Sequence, residues 1–160
     1  MQGEPQKEHR WLQQLIGDWT SEAECVMEPG KPAERTKGTE TVRSLGGLWI
    51  LGEGQGEMPG GGTASMLLTL GFDPQKGRFV GTWVGSMMTN LWVYDGELDA
   101  AGKVLTLNAE GPSFAGDGTT AQYQDVITLE SPDHRILTSR ALGPDGKWNE
   151  FMTAHYRRKR

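Results

Sequence analysis

Between Gly71 and Val84 the chain spells out an antiparallel hairpin. An apolar run ends at Phe72, Asp73-Pro74 opens a turn, Gly77 closes it, and bulky β-forming residues resume from Phe79. The rest of the chain repeats this plan. Strand-like runs at Trp19–Met27, Thr36–Leu45, Leu48–Gly56, Met66–Phe72, Phe79–Val84, Leu91–Tyr94, Val104–Glu110, Ala121–Glu130, Arg135–Leu142 and Trp148–Arg157 are separated by Gly-, Pro- and Asp-containing turns. That is about ten strands at the spacing of roughly 8–12 residues expected of an all-β fold. No intervening segment is long enough for a crossover helix, so the strands form an up-and-down meander, and a meander this long removes its exposed edges best by closing. The expectation is a single domain over residues 1–160, a closed antiparallel barrel over about 17–157.

One segment departs from the plan. From Pro5 to Ile16 the apolar residues Trp11, Leu12, Leu15 and Ile16 recur at helical spacing, Pro5 suits a first helical position and Gly17 is placed to stop the helix. Its apolar stripe has to cover something, and a barrel mouth is the natural place. After it the period becomes two: Trp19, Ser21, Ala23, Cys25 and Met27 alternate with mostly polar neighbours, as in a strand with one wet face. Gly52, Gly54 and Gly56 fall on one face of the third strand, where missing side chains let a sheet bend sharply.

The exclusions are clear. A net charge of −5 argues against a nucleic-acid partner. The basic run Arg157-Arg158-Lys159-Arg160 reads as a solvated end. No apolar stretch approaches the ~20 residues of a membrane-spanning helix, and the polar start lacks a signal-peptide core, so a cytoplasmic location is expected. Cys25 is the only cysteine and reads as a small buried hydrophobe. Pro59-Gly60-Gly61-Gly62 lacks the Lys-Ser/Thr of a phosphate loop, and there is no nucleophile elbow or dinucleotide fingerprint. His9, His134 and His155 show no metal-ligand spacing.

Gly17-Asp18-Trp19 at the start of the first strand resembles the Gly-x-Trp signature of the lipocalin-like (calycin) barrels. The resemblance implies that Trp19 plugs one end and that a late-strand Arg packs over it, with Arg157 the first choice and Arg140 the second. The series Gly46-Gly47, Gly71-Phe72-Asp73, Thr82-Trp83, Ser86-Met87-Met88-Thr89, Asp99-Ala100-Ala101-Gly102-Lys103 and Tyr156-Arg157 resembles the DUF1579 family over nearly the whole chain. Phe72 stands where that family usually has Tyr, and Gly85 where it usually has an acidic residue. No activity is established for the family, so the resemblance implies the barrel and leaves its use open.

The interior of such a barrel is the place for a site, because small barrels either fill with side chains or enclose one small ligand. The candidates for its lining are Trp19, Trp49, Trp83, Met88, Trp92, Tyr94, Tyr123, Arg140, Glu150 and His155. The reading they favour is reversible binding of a small, largely apolar ligand, with an anionic end if an Arg stands at the base of the cavity. Two other classes stay open: a cofactor-free lyase or isomerase using Tyr94 or Tyr123 with Glu150 and Arg140, and a filled structural or oligomerising barrel. No cofactor is predicted; haem held by His155 is a minor alternative. Bulky apolar pairs on both strand faces, such as Leu67-Leu68 and Phe79-Val80, predict that a homodimer covers part of the outer wall.

Overall fold

A computed structural model describes residues 3–26, 28 and 30–159, so Met27 and Pro29 of the expected first strand and loop lie outside the described residues. One helix, α1 (Lys7–Gln13), precedes ten strands: β1 (Gly17–Cys25), β2 (Glu34–Leu45), β3 (Trp49–Glu57), β4 (Thr63–Asp73), β5 (Arg78–Gly85), β6 (Trp92–Leu98), β7 (Val104–Pro112), β8 (Thr120–Ser131), β9 (His134–Leu142) and β10 (Trp148–Arg158). Each strand pairs antiparallel with its sequence neighbours, and β1 also pairs with β10, which closes the barrel.

Two boundaries differ from the expectation. The helix is shorter than 5–16: Gln6 is its N-cap, with its backbone N–H donating to His9 Nδ1 at 2.9 Å, so Pro5 stays outside. The carbonyls that follow its last residue are taken up by an arginine distant in sequence, since Arg158 donates to Ile16 O at 2.5 Å and to Gln14 O at 3.0 Å. The strand expected to end at Tyr94 runs on to Leu98. Asp95 and Glu97 looked like turn residues, yet they form the outer row of β6 and face Arg78 of β5 at 2.8 and 3.2 Å. Cross-strand charge pairing of this kind offsets the poor β-propensity of acidic residues.

Parity along each strand sorts the wall. At the end where α1 sits, the inward positions Ile50, Leu70, Phe79, Leu105 and Leu107 are at most 2% exposed and pack with Leu12 and Leu15 of the helical segment. Trp11 meets Phe79 edge-on at 6.2 Å, and its indole N–H donates to Gly102 O at 2.7 Å in the β6–β7 turn. His9 Nε2 lies 2.9 Å from Phe72 O. The helix is thus a plug, held by a full apolar core at ~1.5–3 kcal/mol per buried large side chain. Inward-facing Gly81 lets the wall bend here, because a Cβ would run into the backbone carbonyl of Thr69 on β4.

Candidate functional site

The half of the barrel away from α1 is built differently. Its inward side chains Met66, Leu68, Trp83, Trp92 and Met152 remain partly accessible although they point to the axis, whereas Ile50, Leu70, Phe79, Leu105 and Leu107 nearer the helix are sealed. The period-two pattern puts them there: Leu68, Trp83 and Trp92 occupy one register row across β4, β5 and β6. Aromatic rings form a belt toward the mouth. Trp92 meets Tyr123 edge-on at 5.0 Å, and Phe114, 72% exposed in the β7–β8 connection, packs edge-on against Tyr123 at 5.8 Å and Phe151 at 5.1 Å. A β10 irregularity between Glu150 and Met152 accompanies the turn of Phe151 into this belt. The Tyr123 hydroxyl is anchored on Pro112 O.

Below the belt lies a polar layer. Asp125 of β8 accepts the Tyr94 hydroxyl on one oxygen and the Ser139 hydroxyl, at 2.6 Å, on the other. Deeper still, Arg135 of β9 is ion-paired with Glu40 of β2, their side chains 4% and 13% exposed. The Arg135 guanidinium is sandwiched between the rings of Tyr156 at 4.1 Å and Trp19 at 4.7 Å. Its Nε is buried without a partner. Burial pushes the Asp125 carboxyl up from its ordinary value, against the two hydroxyl hydrogen bonds that pull it down. Tyr94 is raised well above the usual phenol range by burial and then by the Asp125 charge. Tyr156 is pushed up to about 12, by burial first and the Glu40 charge second.

A raised carboxyl pKa means that the fold prefers the protonated acid. Its stabilising contribution is complete below the unfolded value of ~3.9 and is lost as pH rises through the raised native value. Over the interval in which pH rises above ~3.9, Asp125→Asn should therefore gain on the parent protein in urea midpoint, since the amide keeps the shape and drops the charge. A variant that loses ground over that interval would show that the carboxylate is stabilised where it lies.

The sequence candidates divide. Trp19, Trp83, Trp92, Tyr94 and Tyr123 face the interior, Trp19 within the plugged end and the other four toward or below the open mouth. Five do not line the lumen. Trp49 lies on the outer face, 39% exposed, with its ring over Gly71. Arg140 lies outside as well, donating to Gln124 Oε1 at 2.7 Å and sitting 5.5 Å over the Trp148 ring, so it is not an anion anchor. Glu150 is exposed on β10 ahead of the irregularity. Met88 is 43% exposed in the β5–β6 connection, where its sulfur accepts the Trp92 indole N–H at 3.1 Å. His155 is outside, hydrogen-bonded to His134 at 2.9 Å. The acid–base set of Tyr with Glu150 and Arg140 is therefore not assembled.

His155, the residue expected to hold a haem, faces away from the lumen, and both ring nitrogens of His9 lie within hydrogen-bond distance of backbone groups. The arginine over Trp19 is Arg158, at 4.3 Å, rather than Arg157, because the β1–β10 register places Arg158 opposite Trp19 and turns Arg157 outward. Asp125, Arg135, Glu40, Ser139 and Tyr156 were not among the candidates for the lining. Once the inward parity of Leu137 and Ala154 is known, Arg135, Ser139 and Tyr156 follow from it.

The model of a family described as a protein of unknown function, DUF1579, matches residues 4–158. No curated protein matches the chain. The crystal structure of Rv2717c from M. tuberculosis is similar with a TM-score of 0.64 at 13% identity, covering 98% of this chain and 100% of that one. The S-type phycobiliprotein lyase CPES from Guillardia theta is similar with a TM-score of 0.58 at 14% identity, covering 98% and 99%. The barrel EF1p2_mFAP2b bound to DFHBI follows at a TM-score of 0.52 and 14% identity, covering 96% and 100%. Similarity at these identities establishes the barrel fold.

Proposed function

We propose, for a chain that belongs to the DUF1579 family, that the open half of the barrel reversibly binds a small, largely apolar ligand. The observation that carries this reading is the contrast along the axis: inward Met66, Leu68, Trp83, Trp92 and Met152 stay accessible while Leu70, Phe79, Leu105 and Leu107 are sealed. Aromatic and thioether walls with a few fixed polar groups at the floor suit an apolar guest. A similar barrel solved with DFHBI supports the reading, because it shows what this architecture can hold.

The test is a titration with neopentylbenzene, followed by tryptophan fluorescence and by native mass spectrometry of the freshly purified protein. Saturable quenching is expected, with thermal stabilisation that reaches ~2.7 kcal/mol at a hundredfold excess over Kd. Trp92→Leu should blunt the quenching, and Phe114→Ala, a change at an exposed residue, should speed release. Quenching that does not saturate, together with a bare native mass, would sink the proposal.

The same mass spectrum reads the oligomer. Across the outer face of β3–β6, Trp49, Leu67, Val84, Leu91 and Val93 are each 39–58% exposed, around a Thr69–Thr82 hydroxyl pair at 2.8 Å. The opposite-charge pairs Arg43–Glu53 and Arg78–Asp95 lie on its two flanks. A face with paired charges of both signs at each side can meet its own copy about a twofold axis without like-charge conflict, so a second copy is the occupant we assign. A strictly monomeric mass at micromolar concentration would remove that assignment.

A further inference from the structure

We infer that the ligand of the lumen carries a cationic end, a primary or quaternary ammonium, which rests between the Asp125 carboxylate and the aromatic belt. This rests on the lumen-binding reading above.

Asp125 points to the barrel axis from deep within the wall and keeps partial accessibility there. Its oxygens accept two neutral hydroxyls, those of Tyr94 from β6 and Ser139 from β9. No cation pairs with it among the described residues. Among the described residues the inward-facing basic side chains are Arg135 and Arg158. Arg135 is paired with Glu40, and Arg158 is committed to the carbonyls of Gln14, Ile16 and Pro132 and to Asp133 at 3.3 Å. The other titratable group facing this layer, Tyr156 of β10, is a phenol whose ionisation is suppressed. An enclosed carboxyl without a counter-charge is driven toward its neutral acid, and a cation entering beside it favours the carboxylate by supplying the missing partner.

The second observation is independent of the charge. Trp92 and Tyr123 lie two residues before Tyr94 and Asp125 on β6 and β8, hence one inward step nearer the mouth. At ~3.3 Å of rise per residue that step is about 7 Å. A guest reaching Asp125 therefore passes the rings at the range where π-faces attract ammonium groups, as in cages that recognise quaternary amines. An anionic end meets the reverse: Asp125 and Glu40 against the single guanidinium of Arg135.

The experiment compares three probes with one body and different heads: benzyltrimethylammonium, its neutral isostere neopentylbenzene, and phenylacetate. Each is titrated by calorimetry at pH 7 into the protein and into Asp125→Asn. The expected result is cation over neutral by roughly tenfold or more, with the anion weakest. In Asp125→Asn the cation-to-neutral ratio should fall to about one, with neopentylbenzene binding reporting that the lumen is intact. Equal binding of cation and neutral probe, preference for phenylacetate, or a cation preference that survives Asp125→Asn would each overturn the inference while leaving the lumen as a binding site. Failure of neopentylbenzene itself would instead overturn the lumen reading, and this inference with it.

Discussion

Replacing Arg135 by Met should destabilise the protein by ~3–5 kcal/mol, the cost of leaving a partner charge enclosed without its counter-ion. The charge left behind is Glu40, 13% exposed in its side chain, lodged where β3 makes room for it at Gly52. A Cβ at Gly52 would stand 2.8 Å from Glu40 Oε2, so that glycine is a cradle for the carboxylate. The internal control is Arg43→Met. Arg43 also faces a glutamate, Glu53 at 3.6 Å, but both side chains are about 60% exposed, and such pairs contribute no more than ~1 kcal/mol. Adding Glu40→Leu to Arg135→Met should recover most of the loss, because removing both charges also removes the desolvation cost. Urea denaturation of the four proteins checks this. A single variant that costs as little as Arg43→Met would mean that Glu40 finds water.

Trp19→Ala should be comparably severe, ~3–5 kcal/mol by the usual cost of emptying an aromatic site in a core. Trp19 is 1% exposed, lies between the guanidinium groups of Arg135 and Arg158 at 4.7 and 4.3 Å, and donates its indole N–H to Leu15 O at 2.9 Å. For a chain of this size that loss corresponds to a Tm decrease of roughly 6–20 °C. Trp19→Phe keeps a ring for the two arginines and gives up the Leu15 bond, so it should cost ~1–2 kcal/mol. An alanine variant melting within 3 °C of the parent would show that the plug does not depend on this ring.

Trp19 also shows what the sequence could disclose. Its alternation with Ser21 and Ala23, and the glycine before it, sufficed to place it inside, because parity along one strand is a local property. Its arginine was misassigned by one residue, since the β1–β10 register is set by pairing between opposite ends of the chain. The same limit explains Glu150 and His155. The irregularity at Phe151 resets parity partway along β10, and no residue near it announces the reset. Asp95 and Glu97 misled in the other direction: their composition suggests a turn, but Arg78 on the neighbouring strand makes them strand residues. The polar floor was legible only in fragments. Asp125 is a charge within a strand, but its partners Tyr94 and Ser139 lie 31 and 14 residues away.

Closure by β1 against β10 has a further consequence, for the order of events. The carbonyls that end the helical segment, Gln14 and Ile16, find their donor 144 and 142 residues later, in Arg158. The plug and the seam are thus completed by the same last strand. During synthesis the first strand waits with one edge unpaired until β10 has left the ribosome, and the long-range closure it awaits is the slow kind. A chain stopped before β10 would keep every hairpin from β1 to β9, yet its sheet would stand open along the seam, offering both edges to whatever strand arrives first.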